Sequence, residues 1–108
     1  MIVLGLHGMQ PLQEFGGLSI DTLGRNVYVD GKKSDLTLKE YELLLYLIQN
    51  KNIALTREQL LNAVWGYDFY GEDRTVDTHV KMLRNSLGSY RDYITTLRGI
   101  GYKFEGKN

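Results

Sequence analysis

Between Asp73 and Gly88 the chain reads DRTVDTHVKMLRNSLG, and the apolar residues Val76, Val80, Leu83 and Leu87 recur at i, i+4, i+7 and i+11. At about 100° per residue these four fall on one narrow stripe, so the segment is predicted to be a helix with one buried side. The same rotation collects Arg74, Thr78, Lys81, Met82 and Asn85 on the opposite side, with Thr75, His79 and Arg84 on the flanks. That outward face is short of acids and rich in donors. Cations, hydroxyls and an amide on a helix clamped from behind are the chemistry needed to enter a major groove.

Two other helices are predicted by their caps. Thr37-Leu38-Lys39-Glu40 is a capping box, and the helix it opens carries Tyr41, Leu43, Leu44, Leu45, Leu47 and Ile48 before stopping near Asn50-Lys51-Asn52. Apolar on most of its circumference, it is the expected centre of the core. Thr56-Arg57-Glu58-Gln59 is a second box, opening a helix with Leu60, Leu61, Val64 and Trp65 inward and Gly66 at its end. Ile53-Ala54-Leu55 reads as an extended link between the two. The segment Tyr67-Asp68-Phe69-Tyr70-Gly71-Glu72 follows, aromatic, acidic and longer than the tight turn of a minimal helix-turn-helix.

Strands flank the helices. Residues 13–36 alternate short β-branched or aromatic runs with turn signals at Gly16-Gly17 and Asp30-Gly31, predicting an antiparallel sheet of three or four strands with Phe15, Leu18, Ile20, Val27 and Val29 inward. After a polar connection at Ser89-Tyr90-Arg91-Asp92, the runs 93–98 and 102–105 form a hairpin. Gly99-Ile100-Gly101 is its turn, with glycines expected to supply positive φ. Thr96 and Arg98, two apart, share one face. An arginine-tipped hairpin beside the third helix is a wing. The expected fold is α+β, a winged helix-turn-helix over 12–106: small N-terminal antiparallel sheet, three helices, C-terminal hairpin. Residues 1–11 are expected to be a tail or linker remnant.

The 108 residues suffice for one core, and the composition of 43% hydrophobic and 24% charged residues is that of a globular domain. Zero cysteines exclude a disulfide framework and a thiolate metal site. The opening run MIVLGL is too short to span a membrane. The net charge of zero argues at first against nucleic acid, but its distribution reverses that. From Arg74 onward seven Lys and Arg face three acids, a net of plus four, which leaves minus four for residues 1–73. Such a chain can offer a cationic face to phosphates and a neutral or acidic one to a protein partner.

The motifs LTLKEYELLLYL, LTREQLLNAVWGYD, DRTVDTHVKMLR and ITTLRGIGYKFE, in that order and spacing, closely resemble the winged-helix effector domain of OmpR/PhoB-type two-component response regulators, over about residues 14–105. The resemblance implies a cytoplasmic transcription factor with its third helix in the major groove of double-stranded DNA and its wing at the minor groove. It places Arg74, Thr75, His79, Lys81 and Arg84 at phosphates and sugars, Thr78 at thymine methyls or base edges, and Thr96, Arg98 and Tyr102 on the wing. It also assigns the Trp65–Glu72 loop, with Tyr67, Asp68, Phe69 and Tyr70, to RNA polymerase contact in activators. A receiver domain in the full-length protein and two copies on repeated half-sites complete the implied partners.

This sequence departs from the pattern at Met82, where many relatives carry arginine. The bidentate guanine contact is missing, and a thioether that can lie on a thymine methyl predicts a more A·T-tolerant site. With Asn85 and Lys103 as the nearby polar supplements, the helix is less basic than usual. No enzyme, cofactor or metal is expected: His79 has only His7 for company, and Asp77 reads as a helix-dipole and arginine-orienting carboxylate rather than a general base. Tyr41, Tyr46 and Trp65 read as core or interface aromatics, whereas Tyr102 suits packing and DNA contact equally. A winged-helix protein-interaction module without DNA binding is the competing class, and the Arg74, Arg84 and Arg98 set weighs against it.

Overall fold

Alternation of apolar and polar residues builds the first layer. In a computed structural model that describes residues 11–106, strands β1 (Leu12–Phe15), β2 (Leu18–Asp21), β3 (Asn26–Val29) and β4 (Lys32–Ser34) pair antiparallel in sequence order. The MIVLGL run and nearly all of the expected tail lie outside the described residues. Pro11 lies within them, and its carbonyl accepts from the Thr22 amide at 2.7 Å and hydroxyl at 3.0 Å. Asp30 and Gly31 have φ of 51° and 84°, as the two-residue hairpin between β3 and β4 requires. Phe15, Leu18, Ile20 and Val27 are buried and Val29 packs half-buried against them, so the expected inner face is the observed one.

Both capping boxes form. Thr37 and Glu40 open α1 (Leu38–Gln49), and Thr56 and Gln59 open α2 (Arg57–Trp65), each with side chain and backbone bonded reciprocally. In α1, Leu43, Leu44, Leu47 and Ile48 are buried, and the helix packs on α2, on α3 (Asp73–Leu87) and on the C-terminal sheet. Lys39 Nζ donates 2.8 Å to the Val64 carbonyl, placing a cation at the C-terminal end of α2. Among the described residues no helix is long and apolar enough to cross a membrane.

Three features differ from the sequence expectations. The link at Ile53–Leu55 ends in a strand: β5 (Leu55–Thr56) joins β6 (Ile94–Leu97) and β7 (Gly101–Phe104) in a sheet ordered β5-β7-β6. Two residues give no alternation to read, and the partner lies more than 40 positions away. Ser89–Asp92 is no plain connection, because Gly88–Tyr93 coils as a 3-10 segment in which Tyr90 and Tyr93 pack on the core. The Tyr90 hydroxyl donates to Asp30 and so ties this segment to the β3–β4 turn. The third concerns the wing glycines. Gly99 has φ of 76°, but Gly101 does not share it and sits inside β7. A Cβ there would meet the Leu55 carbonyl at 2.0 Å, so its role is close backbone approach by β5 rather than turn geometry.

The hydrophobic stripe of α3 is the seam of the core, with Val76, Val80, Leu83 and Leu87 at 0–1% exposure. Leu83→Ala is expected to lower unfolding free energy by about 2–5 kcal/mol in denaturant titration, as for other fully buried leucines; a loss near zero would contradict the packing.

Candidate nucleic-acid interface

Because the stripe is buried, the rotation of α3 is set and its other face follows. Arg74, Thr78, Lys81, Met82 and Asn85 are all exposed, and Thr75, His79 and Arg84 are half-buried, as the periodicity predicts. The five outward residues lie within about three turns of helix, roughly 16 Å along the axis. Met82, 38% exposed, is the apolar member of that face. Lys81 is exposed, and Arg74 lies 3.6 Å from Glu72, an exposed pair of little energetic weight.

The flanking residues face neighbours. His79 Nδ1 lies 2.8 Å from the Thr75 carbonyl, and its ring meets Trp65 edge-on at 4.8 Å. Trp65 also packs on Phe69 at 6.2 Å, with the Lys39 ammonium 5.9 Å from its ring. It therefore anchors the α2–α3 loop to α3 at His79, about two turns into the helix. Beyond that anchor the loop is solvated: Tyr67 and Tyr70 are 88% and 99% exposed, Phe69 less so, and Asp68 and Glu72 are also exposed. The Phe69 ring lies where a Cβ on Gly71 would sit, which keeps that turn close to the indole.

The hairpin of β6 and β7 lies beside α3. One Arg84 guanidinium nitrogen donates to the Ile94 carbonyl and, at 2.9 Å, to the Thr96 hydroxyl. Arg98, Gly99 and Ile100 project as the exposed tip, with Thr96 exposed below them. Tyr102 differs from the other ten residues proposed for the interface. It is 5% exposed, and its hydroxyl donates 2.6 Å to Asp77 Oδ1. It therefore has a packing role, one of the two its sequence allowed.

Asp77 is the junction of the site. The same oxygen accepts from Arg57 Nε at 2.8 Å, so α2, α3 and β7 meet on one carboxylate. Desolvation pushes this carboxyl up, and the hydrogen bonds from Tyr102 and Arg57 with the guanidinium charge outweigh it, leaving Asp77 below its ordinary value. Burial first, then the Asp77 bond, holds the Tyr102 phenol above its own. The Arg57 and Arg84 guanidinium carbons lie 5.6 and 5.7 Å from the Tyr102 ring centroid, cation–π distances that put the ring near both charges. From the sequence Asp77 is expected to orient an arginine, and in the structure that arginine is Arg57. The signal that could have found it is position: Arg57 and Asp77 are each near the first turn of their helix, facing one another across the helix-turn-helix.

A model of the family described as "Transcriptional regulatory protein, C terminal" matches residues 31–104. The transcriptional regulatory protein SrrA of Staphylococcus aureus is 50% identical over 99 residues, covering 88% of this chain and 41% of that protein. The chain thus spans less than half the length of such curated relatives. Among solved structures, the response regulator DrrB of Thermotoga maritima, an OmpR/PhoB homolog, aligns with a TM-score of 0.85 and 36% identity, over 96% of this chain and 48% of that one. The DNA-binding domain of Klebsiella pneumoniae RstA, solved in complex with the RstA box, aligns with a TM-score of 0.78 and 30% identity, over 88% and 97% of the two chains.

The Asp77 junction has a pH signature. A carboxyl held below its unfolded value contributes stability that is complete above the unfolded value and is lost as pH falls through the depressed native one. Unfolding midpoints of the unsubstituted chain and Asp77→Asn are expected to differ most near neutrality and to converge between about pH 5 and pH 2. A gap that stays constant over that range would remove the ionised carboxylate from the junction.

Proposed function

The chain belongs to the family of transcriptional regulatory protein C-terminal domains, of the OmpR/PhoB winged-helix type, and from that premise we propose how it grips double-stranded DNA. The outward face of α3 enters the major groove, about 12 Å wide and able to admit a helix. Arg74, Thr75, His79, Lys81 and Arg84 serve phosphates and sugars; Thr78, Met82 and Asn85 face base edges; and Thr96 and Arg98 bring the wing to the minor groove. The observation that supports this most is the rotation of α3, which turns Arg74, Thr78, Lys81, Met82 and Asn85 to solvent next to the flank where Arg84 meets the hairpin that carries Arg98. Tyr102 contributes from beneath that surface.

In the longer protein a receiver domain governs this domain, two copies occupy repeated half-sites, and the work is done in the cytoplasm. The exposed Tyr67, Asp68, Tyr70 and Glu72, held by Phe69 and Trp65, are the surface for RNA polymerase if the protein activates. Solvated aromatics gathered on an anchored loop favour that assignment.

Binding sites selected from random DNA, then titrated in gel shifts at two salt concentrations, test the proposal directly; affinity indifferent to salt and to competitor DNA would defeat it. Arg98→Ala is expected to weaken binding about tenfold and to reduce the salt slope by about 1, with unfolding unchanged. Met82→Arg is expected to add a guanine preference at one position of the selected site, and an unchanged selection would exclude Met82 from base reading. Tyr67→Ala with Tyr70→Ala is expected to lower activated transcription and spare DNA affinity; equal loss of both would place the loop at the DNA.

A further inference from the structure

The two strands of the wing are each attached to α3 by a polar contact, and the two contacts are seven residues apart along that helix. Near its N-terminal end Asp77 accepts from Tyr102 of β7, and two turns on Arg84 donates to Ile94 and Thr96 of β6. Seven residues correspond to about 10.5 Å along a helix axis. Tyr102 and Thr96 are register partners in the β6–β7 ladder, so both attachments engage the same rung of the hairpin. Arg57 holds the first attachment from α2, and the Tyr102 ring lies within cation–π distance of both Arg57 and Arg84. Two anchors on one rung fix rotation as well as distance, which a single contact cannot do.

From this geometry we infer that Asp77, Tyr102 and Arg84 form a two-point brace that sets the position of the Arg98 tip against the reading face of α3. Tyr102 and Asp77 are positioning residues: they touch no DNA, and they determine whether one rigid domain can place α3 in the major groove and the tip in the next minor groove together. Arg84 spends one guanidinium nitrogen on the wing and is only in part a phosphate ligand. The inference rests on the DNA-binding proposal above. What it adds is a prediction of non-additivity, since a brace matters only while there is a tip to place.

The test is a double-mutant cycle on a selected DNA duplex, using the unsubstituted chain, Tyr102→Phe, Arg98→Ala and the double variant, with thermal unfolding followed alongside. Tyr102→Phe keeps the ring and loses the hydroxyl bonded to Asp77. It is expected to weaken binding about fivefold in the unsubstituted background and to have little effect once Arg98 is gone, the coupling usual for groups acting as a unit. Amide order parameters at Arg98, Gly99 and Ile100 are expected to fall in Tyr102→Phe while those of α3 hold. Asp77→Asn is expected to reproduce the same pattern, which covers the case of a phenylalanine variant that folds poorly. Equal losses in both backgrounds, or no loss in either, would overturn the brace while leaving DNA binding in place. Failure of the unsubstituted chain to bind any selected duplex would overturn the DNA proposal, and the brace with it.

Discussion

Burial of Val76, Val80, Leu83 and Leu87 against α1 and its neighbours is the constraint from which the rest of the site follows. Each such side chain contributes roughly 1.5–3 kcal/mol on removal from water, so the four together match the net stability of a typical domain. The exposed Arg74–Glu72 pair contributes at most about 1 kcal/mol and cannot compete for control of the helix. A helix has one rotational freedom about its axis, and this stripe removes it. Every donor on the opposite side is then aimed by packing and needs no contact of its own to hold its direction.

Polar contacts complete what packing leaves undetermined. The apolar core fixes the rotation of α3 but not the angle of a two-stranded hairpin at its edge, and an isolated hairpin is marginal in water. Here β5 adds a third strand across Gly101, Asp77 gathers Arg57 and Tyr102, and Arg84 reaches the β6 backbone. The junction is mixed in character: Tyr102 is buried, while Asp77 and Arg57 remain partly solvated. Its bonds therefore refine geometry more than they supply stability. On the other side, Trp65 ties His79 and Phe69 to the end of α2, so the loop with Tyr67 and Tyr70 is anchored at its base and free at its crown.

Much of this was legible in the sequence because its signals are local and periodic. The α3 stripe, both capping boxes and the Asp30-Gly31 turn involve residues within a dozen positions of one another, and each formed as expected. Exposure along α3 also followed from the 3.6-residue period alone. What escaped was long-range. Strand β5 is two residues long and is defined by pairing with Tyr102 and Gly101. The role of Gly101 depends on the Leu55 carbonyl, far away in sequence, and so resembled turn chemistry. The burial of Tyr102 and its bond to Asp77 likewise required knowing that β7 comes within hydrogen-bond reach of α3. The wing tip shows the same limit, since Ile100 is half-exposed beside Arg98 and no spacing rule singles it out.

In the proposed complex one face of α3 and the hairpin tip meet DNA together while the rest of the domain stands clear. Backbone amide shifts followed by NMR during titration with a selected duplex measure this residue by residue. The largest changes are expected along Arg74–Asn85 and at Arg98–Gly101, with β1–β4 undisturbed. Changes centred on the N-terminal sheet or on the Tyr67–Tyr70 loop, with α3 silent, would contradict it.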